Sequence, residues 1–222
     1  DEALPPDFIR LINEGARLIA AHPLFTPERN AALISSGGRL YLGSFHAVEQ
    51  AIARELTARA ATPNPYYTNT RAESVAKLLT ASGIRLDTEQ LAAVLRSSAA
   101  SLGIISGGPG TGKTTCALAA VLAHLLLRDS SGIRIVLAAP TGKAAGHLAR
   151  PMNRSAAALT EIAAQSGPER LHAAIAAIPT EGMTLHRLLG YRPGNGTFAR
   201  NRSNRIPVDL LVLDETSMVD AP

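Results

Sequence analysis

Hydrophobic positions follow one pattern in roughly the first 80 residues and another in the rest of the chain. In the first part, apolar side chains recur at helical spacing over residues 7–21, 45–60 and 66–80. Two short apolar runs, at 33–34 and 39–42, flank a Ser-Ser-Gly-Gly turn and predict a hairpin. These patterns predict a small, mainly helical unit.

From about residue 84, short apolar runs alternate with helical segments. Runs at residues 103–106, 133–138 and 210–213 predict buried strands, and residues 113–128 between the first two predict a helix. Such alternation is typical of a parallel sheet with helices on both faces. The second part of the chain is therefore predicted to be an α/β fold.

The change of pattern predicts two domains, an accessory domain at residues 1–83 and a larger domain at 84–222. Apolar residues make up 46% of the 222 residues, enough for a packed core. The single cysteine, Cys116, excludes an internal disulfide and favours the reducing cytoplasm. The most apolar stretch, residues 116–127, is too short to span a bilayer, so no membrane association is expected.

The net charge of +4 comes from the second part of the chain. Five arginines lie between residues 187 and 205, with no acidic residue among them. Such a stretch could contact phosphate groups. A solvated basic loop is the other interpretation, and charge alone does not decide between the two.

A glycine-rich segment at residues 107–114 matches the pattern G-x-x-x-x-G-K-[ST], between a predicted strand and a predicted helix. Glycines let such a loop turn its backbone N–H groups into one concavity at the start of the helix, where anions bind. The lysine supplies a positive charge for the β- and γ-phosphates of ATP, and the hydroxyl that follows it supplies a ligand for Mg²⁺. The predicted ATP-binding residues of this segment are Gly107, Gly108, Pro109, Gly110, Thr111, Gly112, Lys113, Thr114 and Thr115.

An acidic pair, Asp214-Glu215, ends the apolar run at 210–213. In P-loop proteins an aspartate at such a strand end holds Mg²⁺. The neighbouring glutamate can orient or deprotonate the attacking water. We therefore predict that Lys113, Asp214 and Glu215 are catalytic and that Thr114 and Asp214 are metal ligands.

Two further segments lie between the glycine loop and the acidic pair. In residues 138–145 Thr141 and Lys143 offer a hydroxyl and a cation on an exposed turn, and residues 183–190 form a predicted short helix that contains Thr184 and His186. Taken alone, each has an ordinary alternative, a helix cap or an amphipathic turn.

The order of these four blocks is similar to that of the RecD family, the alpha subunits of exodeoxyribonuclease V in helicase superfamily one. The blocks that carry the resemblance read ISGGPGTGKTT, AAPTGKAA, TLHRLLG and LLVLDETSMVD. The likeness extends from about residue 86 to 220 and is looser over residues 1–80. At one position the chain departs from the family, with Thr216 where alanine is common.

The resemblance implies more than the residue patterns do. It implies a RecA-like ATP-binding domain, and it assigns Gln90 to reading the adenine. Thr141, Lys143, Thr184 and His186 would contact single-stranded DNA. It further implies 5′-to-3′ translocation in a complex with RecB- and RecC-like subunits that processes broken DNA ends. The accessory domain shows no catalytic cluster or metal-ligand spacing in its sequence, so we expect it to serve packing or partner docking.

Three other functions stay open at the level of the sequence. A stand-alone RecD-like helicase would need no partner subunits. A small-molecule P-loop kinase would need neither of the two middle segments, and a non-catalytic nucleotide-binding scaffold would not need Glu215. Because no second RecA-like domain follows the acidic pair here, this stretch alone is expected to hydrolyse ATP negligibly.

Overall fold

The structure is a computed structural model, and it describes most of the chain beyond residue 32. The described residues are 33–36, 39–108, 110–128, 132–166 and 168–219, with the isolated positions 7, 10, 14 and 15. The helix predicted over residues 7–21 therefore falls largely outside the described residues. The loop residue Pro109 falls wholly outside them. Spatial contacts divide the chain into two compact units, of which the first comprises Asp1–Ala58 and the second Arg59–Val219.

The first unit contains a hairpin followed by a helix. Strands β1 (Leu33–Ser36) and β2 (Arg39–Leu42) pair antiparallel, with Leu33 opposite Leu42. Helix α1 (Gly43–Ala61) follows directly, and all but its last turn belongs to this unit. The hairpin and the helix predicted at this place are both confirmed.

The second unit alternates strands and helices. Its helices are α2 (Asn69–Ala81), α3 (Thr88–Ser97), α4 (Lys113–Leu127), α5 (Gly142–Ser166), α6 (Glu169–Ala176) and α7 (Leu185–Leu189), and a 3-10 turn spans Thr216–Met218. Its strands are β3 (Ile135–Ala139), β4 (Gly182–Thr184), β5 (Tyr191–Arg192), β6 (Thr197–Phe198) and β7 (Leu210–Leu213).

Three of these strands form a parallel sheet in the order β4-β3-β7. Ala139 lies opposite Thr184 in β4, and Ala138 lies opposite Leu213 in β7. All three strands therefore end at the same edge of the sheet. Strands β5 and β6 form a separate antiparallel hairpin, which the sequence did not predict.

Helix α4 is the centre of the hydrophobic core. Nine of its fifteen residues are buried, so they cannot all lie on one stripe of the helix. A helix that is apolar all round is typical of a position enclosed by other elements. The neighbouring core side chains come from five elements of the same unit, and they include Val75 and Leu79 of α2, Val94 of α3, Leu137 of β3, Met152 of α5 and Leu171 of α6.

The strand predicted at residues 103–106 is wrong. These residues form no ladder with any described strand, and the Ile104 side chain is 78% exposed. The backbone instead passes tightly under the end of α3, where a Cβ on Gly103 would lie 2.5 Å from the carbonyl oxygen of Ser97. Isoleucine favours strands, but so short a run becomes a strand only where a neighbouring strand pairs with it.

The predicted domain boundary at residues 83 and 84 stays a prediction. The compact units divide 25 residues earlier, because α2 packs its apolar face against α4 within the second unit. The buried Asn64 side chain also donates a hydrogen bond of 2.8 Å to the carbonyl oxygen of Ser98. Residues 59–83 thus pack within the unit that contains the glycine-rich loop.

Asp209 fixes the start of β7 against its neighbours. Its Oδ2 accepts a hydrogen bond of 3.0 Å from the backbone N–H of Arg134, and its Oδ1 lies 3.0 Å from the Arg128 guanidinium at the end of α4. The N–H of Arg134 first, and then Arg128, hold the pKa of the Asp209 carboxyl below its ordinary value. This carboxylate links α4, β3 and β7.

None of the described helices is long and apolar enough to cross a membrane.

His124, on α4, makes the stability of the unit depend on pH. Its Nε2 is buried and has no hydrogen-bond partner among the described residues. Burial first, and then the nearby Arg128, lower the pKa of the imidazole, whereas Asp209 opposes this shift. The folded protein therefore favours neutral His124, and stability is fully present above the unfolded pKa of about 6.5 and is lost as the pH falls through the folded pKa.

We predict that the free energy of unfolding decreases as the pH falls below about 6.5. His124→Gln should flatten this dependence, as measured by urea unfolding at a series of pH values. His147→Gln, which removes an exposed imidazole from α5, is the matched control and should retain the wild-type dependence. An unchanged dependence in His124→Gln would show that another group titrates in this range.

Candidate nucleotide-binding site

The glycine-rich loop lies at the N-terminus of α4. Gly110 and Gly112 have φ values of 75° and 77°, a left-handed conformation that residues with a Cβ rarely adopt. Gly112 is the N-cap of α4 and makes no side-chain capping bond, so the first N–H groups of the helix are not capped by a side chain. Such N–H groups, with the helix dipole behind them, favour anions.

Lys113 lies exposed across the beginning of the loop. Its Nζ donates hydrogen bonds of 2.8 Å to the carbonyl oxygen of Gly107 and 2.7 Å to that of Gly108. The hydroxyl of Thr111 donates a bond of 2.9 Å to the Gly108 carbonyl as well. These bonds close the loop on itself and keep one positive charge beside the uncapped helix start.

The other residues at the start of α4 face different surroundings. Thr114 is half-buried and Thr115 is exposed, whereas Cys116 is buried in the core. Burial first, and then the charge of Asp87, raise the pKa of the Cys116 thiol, which keeps it protonated. The first turn therefore presents hydroxyls beside the loop and an inert thiol toward the core.

Gln90 joins α3 to the loop. Asp87 and Gln90 form a capping box, in which Gln90 N–H donates to Asp87 Oδ1 (2.8 Å) and Asp87 N–H donates to Gln90 Oε1 (3.0 Å). The remaining polar atom, Nε2 of Gln90, donates a bond of 3.2 Å to the carbonyl oxygen of Thr111. The predicted adenine-reading side chain thus touches the glycine-rich loop itself.

The acidic pair lies at the end of β7, where all three parallel strands end. The backbone N–H of Asp214 donates to the Ala138 carbonyl (3.1 Å), and Asp214 Oδ1 accepts a bond of 2.8 Å from Glu215 N–H. Glu215 has φ 52°, the one positive φ outside glycine among the described residues. This conformation is costly for a residue with a Cβ, and such strain clusters at functional sites.

Thr114 and Asp214 offer a hydroxyl and a carboxylate, oxygen donors of the type that magnesium takes. Helix α4 contacts β7, so the elements that carry Thr114 and Asp214 are neighbours. Within the described ranges, no three His, Cys, Asp or Glu side chains form a group that could hold a metal by themselves. Magnesium commonly takes only one or two protein ligands and completes its shell with water and phosphate oxygens.

The structure brings the two middle segments together beside the acidic pair. Thr141 follows β3 and Thr184 ends β4, and a Cβ on Gly142 would lie 3.9 Å from Cγ2 of Thr184. Each threonine also caps a helix: Thr141 Oγ1 accepts from Ala144 N–H and Thr184 Oγ1 from Arg187 N–H, both at 3.2 Å. Both hydroxyls therefore act as helix caps, which is the ordinary alternative to a DNA contact for these two segments.

His186 packs against aromatic rings. Its ring lies edge-on to Tyr191 with centroids 5.0 Å apart, and Phe198 lies 6.0 Å away. Tyr191 and Phe198 come from the hairpin β5–β6 and are themselves partly exposed. Lys143 on α5 is exposed.

Two sets of side-chain contacts were not predicted from the sequence. The spacing Asp87-x-x-Gln90 is the signature of a capping box and could have revealed that Gln90 is held at a helix start. Tyr191 and Phe198 flank a Pro-Gly-Asn-Gly turn, which is a hairpin signal, but nothing local connects them to His186. That contact depends on the tertiary fold.

Comparison with known proteins agrees with this architecture. The family described as AAA domain matches residues 90–222, more than half of the chain. This match begins at Gln90 and contains the loop, both middle segments and the acidic pair. The predicted α/β P-loop fold is thereby confirmed, and membership of this family implies nucleotide use.

Several RecD proteins are similar to the same region. The chain is 44% identical over 119 residues to the RecBCD enzyme subunit RecD of Mycobacterium tuberculosis, covering 52% of this chain and 19% of that protein. It is 41% identical over 119 residues to the corresponding subunit of Haemophilus influenzae, covering 54% of this chain and 18% of that protein. The ATP-dependent RecD2 DNA helicase of Deinococcus radiodurans is 31% identical over 197 residues, which cover 89% of this chain and 22% of that protein.

The chain thus spans about a fifth of the length of the curated relatives that it matches. The resemblance to the RecD family drawn from the four motifs is confirmed over this part. The chain belongs to the AAA domain family, and its second unit is an α/β P-loop fold similar to a segment of the RecD and RecD2 proteins.

Proposed function

We propose that this chain is the nucleotide-binding part of an ATP-dependent DNA helicase, a RecD-type subunit of a RecBCD-like exodeoxyribonuclease V that acts in double-strand-break repair. The observation that carries the proposal is the shared sheet edge. Asp214-Glu215 follow β7, and the Thr141 and Thr184 segments follow the two neighbouring parallel strands. A nucleotide site and a DNA-contact surface there would be mechanically coupled through the same three strands.

In this proposal the residues of the loop bind the phosphates of ATP. The N–H groups at the start of α4 and the ammonium of Lys113 would leave their present contacts with loop carbonyls and bind phosphate oxygens instead. Thr114 and Asp214 would hold Mg²⁺, which neutralises charge on the β- and γ-phosphates when it is bound. Gln90 would also contact the adenine edge.

Glu215 is the proposed general base. Glu215 directly follows Asp214, the proposed metal ligand. The left-handed backbone at Glu215 turns the chain away from the direction of β7. A carboxylate in this place can orient the attacking water and accept its proton. A nucleotide-binding scaffold does not need a general base. The presence of the Glu215 carboxylate therefore favours an enzyme.

Single-stranded DNA is the proposed substrate track, with translocation 5′-to-3′. Thr141, Lys143, Thr184 and His186 would contact its backbone, and the two capping hydroxyls hold their helix starts toward the same edge. Exposed arginines at 192, 202 and 205 add positive charge along the following segment.

We further propose RecB- and RecC-like subunits as partners, in the cytoplasm. Helix α1 of the first unit exposes Phe45, Ile52 and Leu56 on one face, since these positions are seven and four residues apart. Exposed apolar stripes of this kind mark protein interaction sites. This face supports a partner-docking role for the first unit.

One observation favours a second candidate, a stand-alone helicase. The RecD2 match covers 89% of the chain and therefore includes much of the first 83 residues, whereas the two RecD matches cover about half. Unwinding of duplex DNA by the whole natural protein without other subunits would favour this candidate. Activity only after RecB- and RecC-like subunits are added would favour the complex.

We predict that Lys113→Ala weakens binding of Mg-ATP by about tenfold to a hundredfold, because a charge-assisted contact to phosphate is lost. Isothermal titration calorimetry on the whole protein would measure the affinity. Lys77→Ala, which removes an exposed lysine from α2, is the matched control and should bind as the wild type does. Equal affinities for all three proteins would refute the phosphate-binding role of the loop.

Glu215→Gln should leave Mg-ATP affinity nearly unchanged and lower the rate of hydrolysis about a hundredfold or more, because the amide cannot accept the proton of water. Affinity and steady-state turnover of the whole protein would be measured side by side. Glu161→Gln on α5, where the glutamate is exposed, is the control and should retain both. Full turnover in Glu215→Gln would assign the general base to another residue.

A further inference from the structure

We propose that Gln90 is a positioning residue for the phosphate loop, in addition to any contact with adenine. It would fix the direction of one backbone N–H of the loop through the Thr111 carbonyl. The inference rests on the proposed function, since it presumes that this loop binds phosphates. It predicts an effect on a ligand that has no base at all.

The side chain of Gln90 is held from both ends. Its Oε1 is engaged by the N–H of Asp87 (3.0 Å), so the amide cannot rotate without breaking the capping box. Its Nε2 is thereby directed at the loop, where it donates to the Thr111 carbonyl at 3.2 Å. A Cβ on Gly112 would lie 3.0 Å from this Nε2, so the amide lies directly against the last glycine of the loop.

The hydrogen bond to Thr111 determines where the next N–H points. The Thr111 carbonyl and the Gly112 N–H belong to one peptide unit, which is planar and trans, since no described peptide bond is cis. The two groups of a trans peptide point in opposite directions. When Gln90 holds the carbonyl on its own side, the Gly112 N–H must point away from Gln90.

This peptide needs an anchor because glycines flank it. Gly110 and Gly112 both have positive φ values, and glycine changes between conformations at little steric cost. The Thr111 hydroxyl is already used by the Gly108 carbonyl and leaves the peptide itself unrestrained. Rotation of this peptide would replace an N–H donor of the anion-binding concavity with a carbonyl oxygen, which repels phosphate.

The test separates loop positioning from base recognition by using inorganic tripolyphosphate with Mg²⁺, which carries no adenine. Affinities for Mg-tripolyphosphate and Mg-ATP would be measured in the whole natural protein by calorimetry. Gln90→Met keeps the length of the side chain and removes its Nε2 donor. We expect it to weaken Mg-tripolyphosphate binding about two- to tenfold, which is the effect of losing one neutral hydrogen bond.

Asp87→Ala is the matched control, because it removes the side-chain cap of α3 but leaves the bond from Gln90 to Thr111 available. It should lower the melting temperature, since a lost N-cap is destabilising, yet bind Mg-tripolyphosphate within about twofold of the wild type. If Asp87→Ala weakens that binding as much as Gln90→Met does, a structural role of the helix start replaces the proposed one.

The remaining outcomes are also decisive. If Gln90→Met weakens Mg-ATP but binds Mg-tripolyphosphate as the wild type does, Gln90 only reads adenine and the positioning role is overturned. Lys113→Ala in the same series tests the underlying function. If Lys113→Ala weakens Mg-tripolyphosphate and Gln90→Met does not, the positioning role alone fails, whereas no effect of Lys113→Ala overturns the phosphate site and the inference together.

Discussion

The burial of most of helix α4 in the hydrophobic core determines where the other elements of the second unit are placed. Its leucines, valine and alanines pack against helices α2, α3, α5 and α6 and against the sheet, so the helix can neither rotate nor slide without opening the core. Its N-terminal turn is the most accessible part, with Lys113 and Thr115 exposed. The same residues that stabilise the fold thus hold Lys113 and Thr114 in fixed positions beside the loop.

A second consequence of the architecture is the common edge at which the parallel strands end. Because β4, β3 and β7 run in one direction, Thr184, the Thr141 turn and Asp214-Glu215 come together without being close in sequence. Ligand sites in open α/β sheets lie at the carboxyl ends of the strands. The Asp209 link at the opposite end of β7 helps to fix this strand against β3 and α4.

Local patterns were enough to predict the parts whose structure is decided locally. The glycine-rich loop, strands β3 and β7 and helix α4 follow from hydrophobic runs and from the lysine motif. The strand expected at residues 103–106 failed, because a short run with an N-terminal glycine becomes a strand only when a partner pairs with it. The contacts of His186 with Tyr191 and Phe198 could not be predicted either, since a hairpin turn does not reveal which surface the hairpin will cover.

Gln90 shows which contacts of a site residue cannot be predicted from the sequence. The family resemblance assigned it to adenine, and the spacing to Asp87 contained the capping box, but its bond to the Thr111 carbonyl arises from the packing of α3 against α4. A residue's type and spacing can indicate the element that holds it. Which backbone atom it reaches across the core is decided by the fold.

ATP hydrolysis in the whole natural protein, measured with and without single-stranded DNA, tests whether a nucleotide site and a DNA surface share one sheet edge. We expect DNA to increase the steady-state rate severalfold or more, and the increase to grow with DNA concentration to saturation. A rate that is the same with and without DNA, in a protein that does hydrolyse ATP, would contradict this expectation and would favour a P-loop enzyme of another class.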